Sequence, residues 1–114
     1  MVTIKEAEMQ TGITKQNIRY YEKIGLLQPS REQENKYRNY SEEDIRRLKL
    51  IVIFRKLDMP LEEIRQLLEG TIELQDALQM QKEMLVERQQ KLQAAISFCG
   101  QIEEKELTQL DVDG

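Results

Sequence analysis

The sequence of 114 residues has no histidine, no tryptophan and one cysteine, and it has only two prolines and five glycines. A single cysteine excludes a disulfide within the chain and fits a reducing compartment. So few glycines and prolines leave little material for the many turns of an all-β fold. No apolar run approaches the roughly 18 residues of a membrane span, and no signal-peptide pattern opens the chain. We therefore expect a small cytoplasmic protein, mainly α-helical, without membrane contact.

The same absences argue against an enzyme and against a metal sensor. The chain offers no histidine for general-base work, and it has no nucleophile motif and no glycine-rich phosphate loop. A soft-metal site needs at least two or three cysteine or histidine ligands, whereas Cys99 stands alone. We predict no catalytic residues, no metal and no cofactor. A lone cysteine on an apolar helix face is usually a small hydrophobic residue, although a redox role for Cys99 remains an alternative.

Charge is divided unevenly along the chain. The net charge is −4, but residues 1–56 carry 12 Lys and Arg against 8 Asp and Glu, while residues 57–114 carry 5 against 13. A basic half joined to an acidic half suggests that only the first half meets a polyanion. A chance imbalance on solvated surfaces is the alternative.

The segment TKQNIRYYEKIGL, residues 14–26, is the most informative stretch of the sequence. Thr14 can cap a helix whose first turn carries side chains that hydrogen-bond base edges, followed by two that suit phosphate oxygens. This set comprises Lys15, Gln16, Asn17, Arg19 and Tyr20. A capping box at Thr3 and Glu6 begins a shorter helix before it, and glycines follow both helices. Two short helices joined by a tight turn predict a helix-turn-helix.

Residues 28–40, QPSREQENKYRNY, are polar and contain Pro29. A short β-ribbon, or wing, is the preferred interpretation, and a disordered linker is the alternative. Ser41 should cap a helix over residues 42–57 that is apolar on nearly all sides and therefore central to the core. Pro60 begins another short helix that ends at Gly70, and Thr71 can cap the last one.

A seven-residue apolar repeat runs through the last helix, which is predicted from Leu74 to Ile102. With 1.5 Å per residue this helix would be about 40 Å long, and no second helix of the chain is available to cover it. A homodimeric coiled coil is therefore favoured over packing against the rest of the chain, which is possible for the first two turns only. The predicted seam consists of Leu74, Leu78, Leu85, Leu92, Ala95, Cys99 and Ile102.

In the order of these elements and in their residues, the chain resembles the MerR family of bacterial transcription regulators. The matching segments are TIKEAEMQTGITKQNIRYYEKIGLLQPSR, YRNYSEEDIRRL and MPLEEIRQLLEG, followed by the heptad helix, so the resemblance covers about residues 2–104. It implies a mainly α fold: a winged helix-turn-helix domain over residues 1–70, a coiled-coil dimerisation helix over 71–104 that pairs antiparallel, and a short acidic tail over 105–114.

The resemblance also implies a function. Such homodimers bind a pseudo-palindromic operator in double-stranded promoter DNA, and they bend and untwist it so that RNA polymerase can engage both promoter elements. It assigns Arg19 and Tyr20 to groove and backbone contacts, Arg55 to a phosphate contact, and Tyr37 and Arg38 to phosphate contacts from the wing. Thr14 and Lys36 are expected to contact DNA as well. For Tyr21, which shares a face with Ile18, inward and outward positions are both open.

Two departures from the family pattern are visible. Asp58 stands where a glycine is usual, at a position expected to need a positive φ, which aspartate tolerates better than most residues. The segment after the long helix is short, acidic and without cysteine or histidine, so neither an effector nor its absence is predicted. Alternatives to the promoter-deforming regulator are a coiled-coil protein-interaction module and a repressor that acts without an effector.

Overall fold

The structure of the chain is a computed structural model that describes residues 2–28, 30–31 and 38–112. Its elements are α1 (Ile4–Thr11), α2 (Lys15–Lys23), β1 (Ser30–Arg31), β2 (Arg38–Asn39), α3 (Glu42–Lys56), α4 (Leu61–Glu69), α5 (Leu74–Ile102) and a 3₁₀ turn (Leu107–Gln109). The fold is mainly α, as predicted, with a helix-turn-helix, a two-stranded ribbon and a long last helix. It divides into two compact units, residues 1–77 and 78–114.

Side-chain caps fix where the first three helices begin. Thr3, Thr14 and Ser41 each accept a hydrogen bond from the backbone N–H three residues on. Ser41 and Asp44 form a reciprocal capping box, which satisfies two donors that a helix start leaves free. The box predicted at Thr3 differs in one contact, because the Glu6 carboxylate accepts from the Thr3 hydroxyl at 3.2 Å instead of from the Thr3 backbone N–H.

The ribbon confirms the predicted wing. Strands β1 and β2 pair antiparallel, with Ser30 opposite Asn39 and Arg31 opposite Arg38. Beside it, Val2 and Tyr40 form an isolated bridge of two backbone hydrogen bonds, at 2.9 and 2.8 Å. The start of the chain is therefore bonded to the end of the ribbon.

The core of the first unit forms where α1 and α4 pack against α3 and α1 packs against α2. Its fully buried members include Ala7, Ile18, Tyr40, Leu48, Ile51, Met59, Ile64 and Ala77. Helix α3 is central to this core, as predicted. It is not buried on all sides, because the apolar side chain of Ile53 is 52% exposed. Tyr21 is half-buried and packs against the core, which settles its position on the inward side.

The connections around α4 show one prediction confirmed and one wrong. Asp58 has a φ of 58°, so it does occupy the left-handed conformation expected of the usual glycine. Thr71 does not cap α5, which begins three residues later. Its hydroxyl and its backbone N–H instead both donate to the carbonyl of Gln66, at 3.1 and 2.9 Å. Together with the bond from the N–H of Gly70 to Leu67, this closes α4 in a Schellman turn.

Candidate nucleic-acid interface

The start of α2 is held by two contacts that fix the direction of its first turn. The Thr14 hydroxyl accepts from the backbone N–H of Asn17 at 3.2 Å. From α1, the Glu8 carboxylate accepts from the backbone N–H of Lys15 at 2.9 Å. Since an N-cap hydrogen bond is worth about 1 kcal/mol, the pair of contacts stabilises the turn on which the predicted base-reading side chains lie.

The outer face of α2 presents polar side chains while its inner face is buried. Gln16, Asn17 and Arg19 are exposed and Tyr20 is 48% exposed, whereas Ile18 is fully buried. Lys15 is half-buried. The exposed set combines amide donors and acceptors with a guanidinium and a phenol, which are groups that pair with base edges and phosphate oxygens.

The end of α3 lies beside the first turn of α2. Arg55 and Lys56 line one shallow hollow together with Thr14, Asn17 and Tyr21. The Arg55 guanidinium donates from Nη1 to the carbonyl of Met59 at 2.8 Å, which holds the side chain in place. The structure therefore brings the predicted Arg55 to the N-terminal turn of α2. It adds Lys56, which sequence reasoning missed although its position beside Arg55 at a helix end was visible.

The predicted wing contacts fall partly outside the described residues. Lys36 and Tyr37 lie there, and of Arg38 only the backbone, in β2, is described. The ribbon to which Arg38 belongs is present, and its register is given by the pairing of Ser30 with Asn39 and of Arg31 with Arg38.

The C-terminal end of α2 is held by two side chains that sequence reasoning did not single out. Arg65, on α4, donates from Nη2 to the carbonyl of Ile24, the C-cap residue of α2. The buried Tyr40 donates its hydroxyl to the carboxylate of Glu22. Neither residue belongs to a local motif with its partner, so pattern reading had no signal for these contacts.

The predicted seam lies on an exposed surface of α5. Leu74 is 46% and Leu92 is 58% exposed, Ala95 and Cys99 are exposed, and Leu78, Leu85 and Ile102 are half-buried. Ile96, which the heptad reading left out, is 63% exposed and follows Leu92 by four residues, so it widens the same face. Large apolar side chains this exposed, in series along one face, are typical of an interaction surface.

No group of three or more histidine, cysteine, aspartate or glutamate residues that could hold a metal ion occurs in the described part of the chain. Among the described helices, none is both long and apolar enough to span a membrane.

Two family models match the chain. One, described as MerR HTH family regulatory protein, matches residues 2–71, and the other, described as MerR, DNA binding, matches residues 45–109. Among curated relatives, the HTH-type transcriptional activator mta of Bacillus subtilis is 31% identical over 112 residues, which is 97% of this chain and 41% of that protein. The HTH-type transcriptional regulator HmrR of Rhizobium leguminosarum is 42% identical over 67 residues, 59% of this chain and 51% of that protein. This chain thus spans about half the length, or less, of these relatives.

Solved structures agree with this comparison. The N-terminal part of the Bacillus subtilis multidrug transporter activator, MtaN, superposes with a TM-score of 0.84 at 28% identity and covers 92% of this chain and 100% of that one. The lead-bound regulator PbrR691 of Ralstonia metallidurans has the same fold, with a TM-score of 0.80 at 24% identity over 96% of this chain and 94% of that one.

Proposed function

The chain belongs to the MerR family of helix-turn-helix transcription regulators, and from that premise we propose that it binds a pseudo-palindromic promoter operator as a homodimer. Residues 1–70 are the DNA-binding domain, residues 71–104 the dimerisation helix and residues 105–114 an acidic tail. The observation that carries the proposal is the outer face of α2, where a capped first turn presents amide, guanidinium and phenol groups beside the cations of α3.

Each group of this surface has a distinct task. Gln16 and Asn17 read base edges, and Lys15 and Arg19 bind base edges or phosphates at the rim of the major groove. Thr14 and Tyr20 contact the backbone, as do Arg55 on α3 and the wing residues Lys36, Tyr37 and Arg38. The fixed position of the Arg55 guanidinium, bonded at 2.8 Å to Met59, supports a phosphate contact of defined geometry.

Dimerisation follows from the exposed seam of α5. Two copies pair antiparallel through Leu74, Leu78, Leu85, Leu92, Ala95, Cys99 and Ile102. If the pair is centred near Arg88, the two Cys99 residues lie about 11 residues on either side of the centre, or roughly 30 Å apart at 1.5 Å per residue. That separation excludes a direct disulfide between them, so Cys99 acts as a small apolar residue of the seam.

The dimer regulates transcription by deforming the operator. When the two DNA-binding domains of one dimer engage both half-sites, the DNA between them bends and untwists, and RNA polymerase then engages the realigned promoter elements. The protein does this in the cytoplasm, and no catalytic step is involved. Because the chain spans only part of its relatives' length, no effector is assigned.

A titration of binding against salt tests the proposal. Duplexes selected by the chain from a random DNA pool should carry an inverted repeat, and their affinity should fall steeply as salt rises, since phosphate contacts release counterions. The variant that tests these contacts is Arg19→Ala together with Gln16→Ala. It keeps the caps of α2 and should lose the preference for the selected DNA sequence. If the chain selects no duplex at low salt, the proposal is wrong, and the alternative of a protein-interaction module is favoured.

A further inference from the structure

The geometry points to Arg65 as a positioning residue: we propose that its guanidinium sets the tilt of α2 relative to the start of α5, and thereby the half-site spacing that the dimer accepts. The inference rests on the proposed function, because spacing has meaning only for a dimer on two half-sites. Arg65 is not one of the residues assigned to DNA contacts. The preference for one half-site spacing is also a property that the contacts of α2 do not determine.

Arg65 is the hydrogen-bond donor to the carbonyl of Ile24, at the end of α2. Helix α2 closes in a Schellman turn, in which the N–H of Gly25 donates to Glu22 and the N–H of Leu26 to Tyr21. These two bonds do not include the carbonyl of Ile24, which accepts from Arg65 Nη2. A cation at a helix C-terminus is also favoured by the helix dipole. Arg65 thus completes the end of the helix that reads DNA.

Gly25 makes room for this contact. Its φ is +84°, and a Cβ placed on it would lie 3.1 Å from Nη1 of Arg65. The guanidinium therefore lies close to the backbone of the turn, and an added Cβ would require it to shift by a few tenths of an ångström. The left-handed backbone favours glycine at this position, and the close approach of Arg65 adds to that preference.

The guanidinium is oriented by its own helix. Its Nε lies 3.2 Å from the Glu62 carboxylate and its Nη1 lies 4.0 Å from that of Glu69, and the side chain is 25% exposed. Surface ion pairs of this kind add little stability. Here they hold the planar fork in one orientation, so that all three nitrogens have partners and the bond to α2 has one geometry.

Helix α4, which carries Arg65, is joined firmly to the start of α5. Gly70, at φ +77°, and Thr71 close α4 through bonds to the carbonyls of Leu67 and Gln66. Helix α5 begins three residues later, and Ala77 in its first turn is fully buried in the core of the first unit. Among the described residues, the bond from Arg65 to Ile24 joins α4 to the end of α2, which the hydroxyl of Tyr40 also holds through Glu22. We therefore expect a change at Arg65 to alter the angle of α2 while the residues assigned to DNA contacts stay in place.

The experiment measures affinity against spacing. Palindromic duplexes are built from the half-site that the wild-type chain selects from a random pool, with the two halves moved together or apart one base pair at a time. The variants are Arg65→Lys, which keeps the charge and loses the fork, and Arg65→Met, which loses both. Arg46→Met on α3 is the control for loss of one cation from an exposed position in the basic half.

We expect both Arg65 variants to flatten the spacing profile. Where the wild type prefers its best spacing by about tenfold, equivalent to about 1.4 kcal/mol, the variants should discriminate by less than about threefold. Affinity for a duplex with one half-site should stay within about threefold of wild type for all variants, and Arg46→Met should keep the wild-type profile.

Two results would overturn the inference while leaving the proposed function intact. A uniform fall in affinity at every spacing, with a shallower salt dependence, would make Arg65 a phosphate contact. An unchanged profile would mean that Arg65 acts only in folding. If Arg65→Met fails to fold, Arg65→Lys and the double change Glu62→Gln with Glu69→Gln are used instead. The double change removes the two ion pairs of the guanidinium but keeps the guanidinium itself. It should broaden the spacing profile as the Arg65 variants do. Failure of the wild type to bind any duplex contradicts the proposed function itself.

Discussion

Replacing Leu92 by glutamine should dissociate the dimer into monomers at concentrations where the wild type is paired. Glutamine has a similar length and a good helix propensity, so the helix itself should persist. Leu92 is 58% exposed in the single chain, and full burial of a leucine gains about 2 kcal/mol, so pairing has about 1.2 kcal/mol left to gain at each copy. A symmetric dimer contains the residue twice, which gives about 2.3 kcal/mol, or a dissociation constant raised about fiftyfold.

Sedimentation equilibrium over a dilution series measures this constant directly. The matched control is Val86→Gln, the same kind of change on the same helix at a similar exposure, 44%, but off the seam. Val86→Gln should leave the constant within about threefold of wild type, since its side chain stays in water in both states. The reasoning fails if Leu92→Gln dimerises as tightly as the wild type, or if the two variants weaken the dimer equally.

Three further outcomes are expected. Arg19→Ala should weaken operator binding more than about tenfold at fixed salt with an unchanged circular dichroism spectrum, because it removes an exposed charged contact; loss of the spectrum would contradict its outward position. Gly25→Ala should lower the free energy of unfolding in urea by about 1–2 kcal/mol from the positive φ, and by more than Gly12→Ala, since only at Gly25 does the added Cβ meet Arg65; equal losses would refute that contact. Tyr40→Phe should cost about 1–2 kcal/mol in the same assay by removing the hydroxyl that bonds α2, and an unchanged midpoint would mean that this bond contributes nothing.

Local signals in the sequence predicted the elements closely. The segment from Leu74 to Ile102 was expected to be helical because no breaker other than Gly100 interrupts it, and α5 spans it. The expected cap at Thr71 would have begun the helix at Ile72, two residues too early. The positive φ of Asp58 was likewise expected, and it is 58°. Caps, breakers and periodicity act within a few residues, so a single sequence contains them.

The contacts that orient α2 were not predictable in the same way. The Arg65 bond joins residues 41 apart in the chain, and nothing in the sequence near either partner indicates it. Thr71 shows the converse case, since a threonine before a helix suggests a cap, yet its hydroxyl bonds the carbonyl of Gln66 in the preceding helix. The conformation of the turn between two helices decides which of them such a side chain bonds.

The bridge between Val2 and Tyr40 should make unfolding of the first compact unit more cooperative. Two backbone hydrogen bonds, at 2.9 and 2.8 Å, close a loop that contains α1, α2 and the ribbon. While the bridge is closed, it joins the chain just before α1 to the chain just before α3. Opening it releases the conformational entropy of the whole loop together. The amide protons of Val2 and Tyr40 should therefore be protected from exchange with solvent, because each is bonded across the bridge. Their exchange rates report how often the bridge opens.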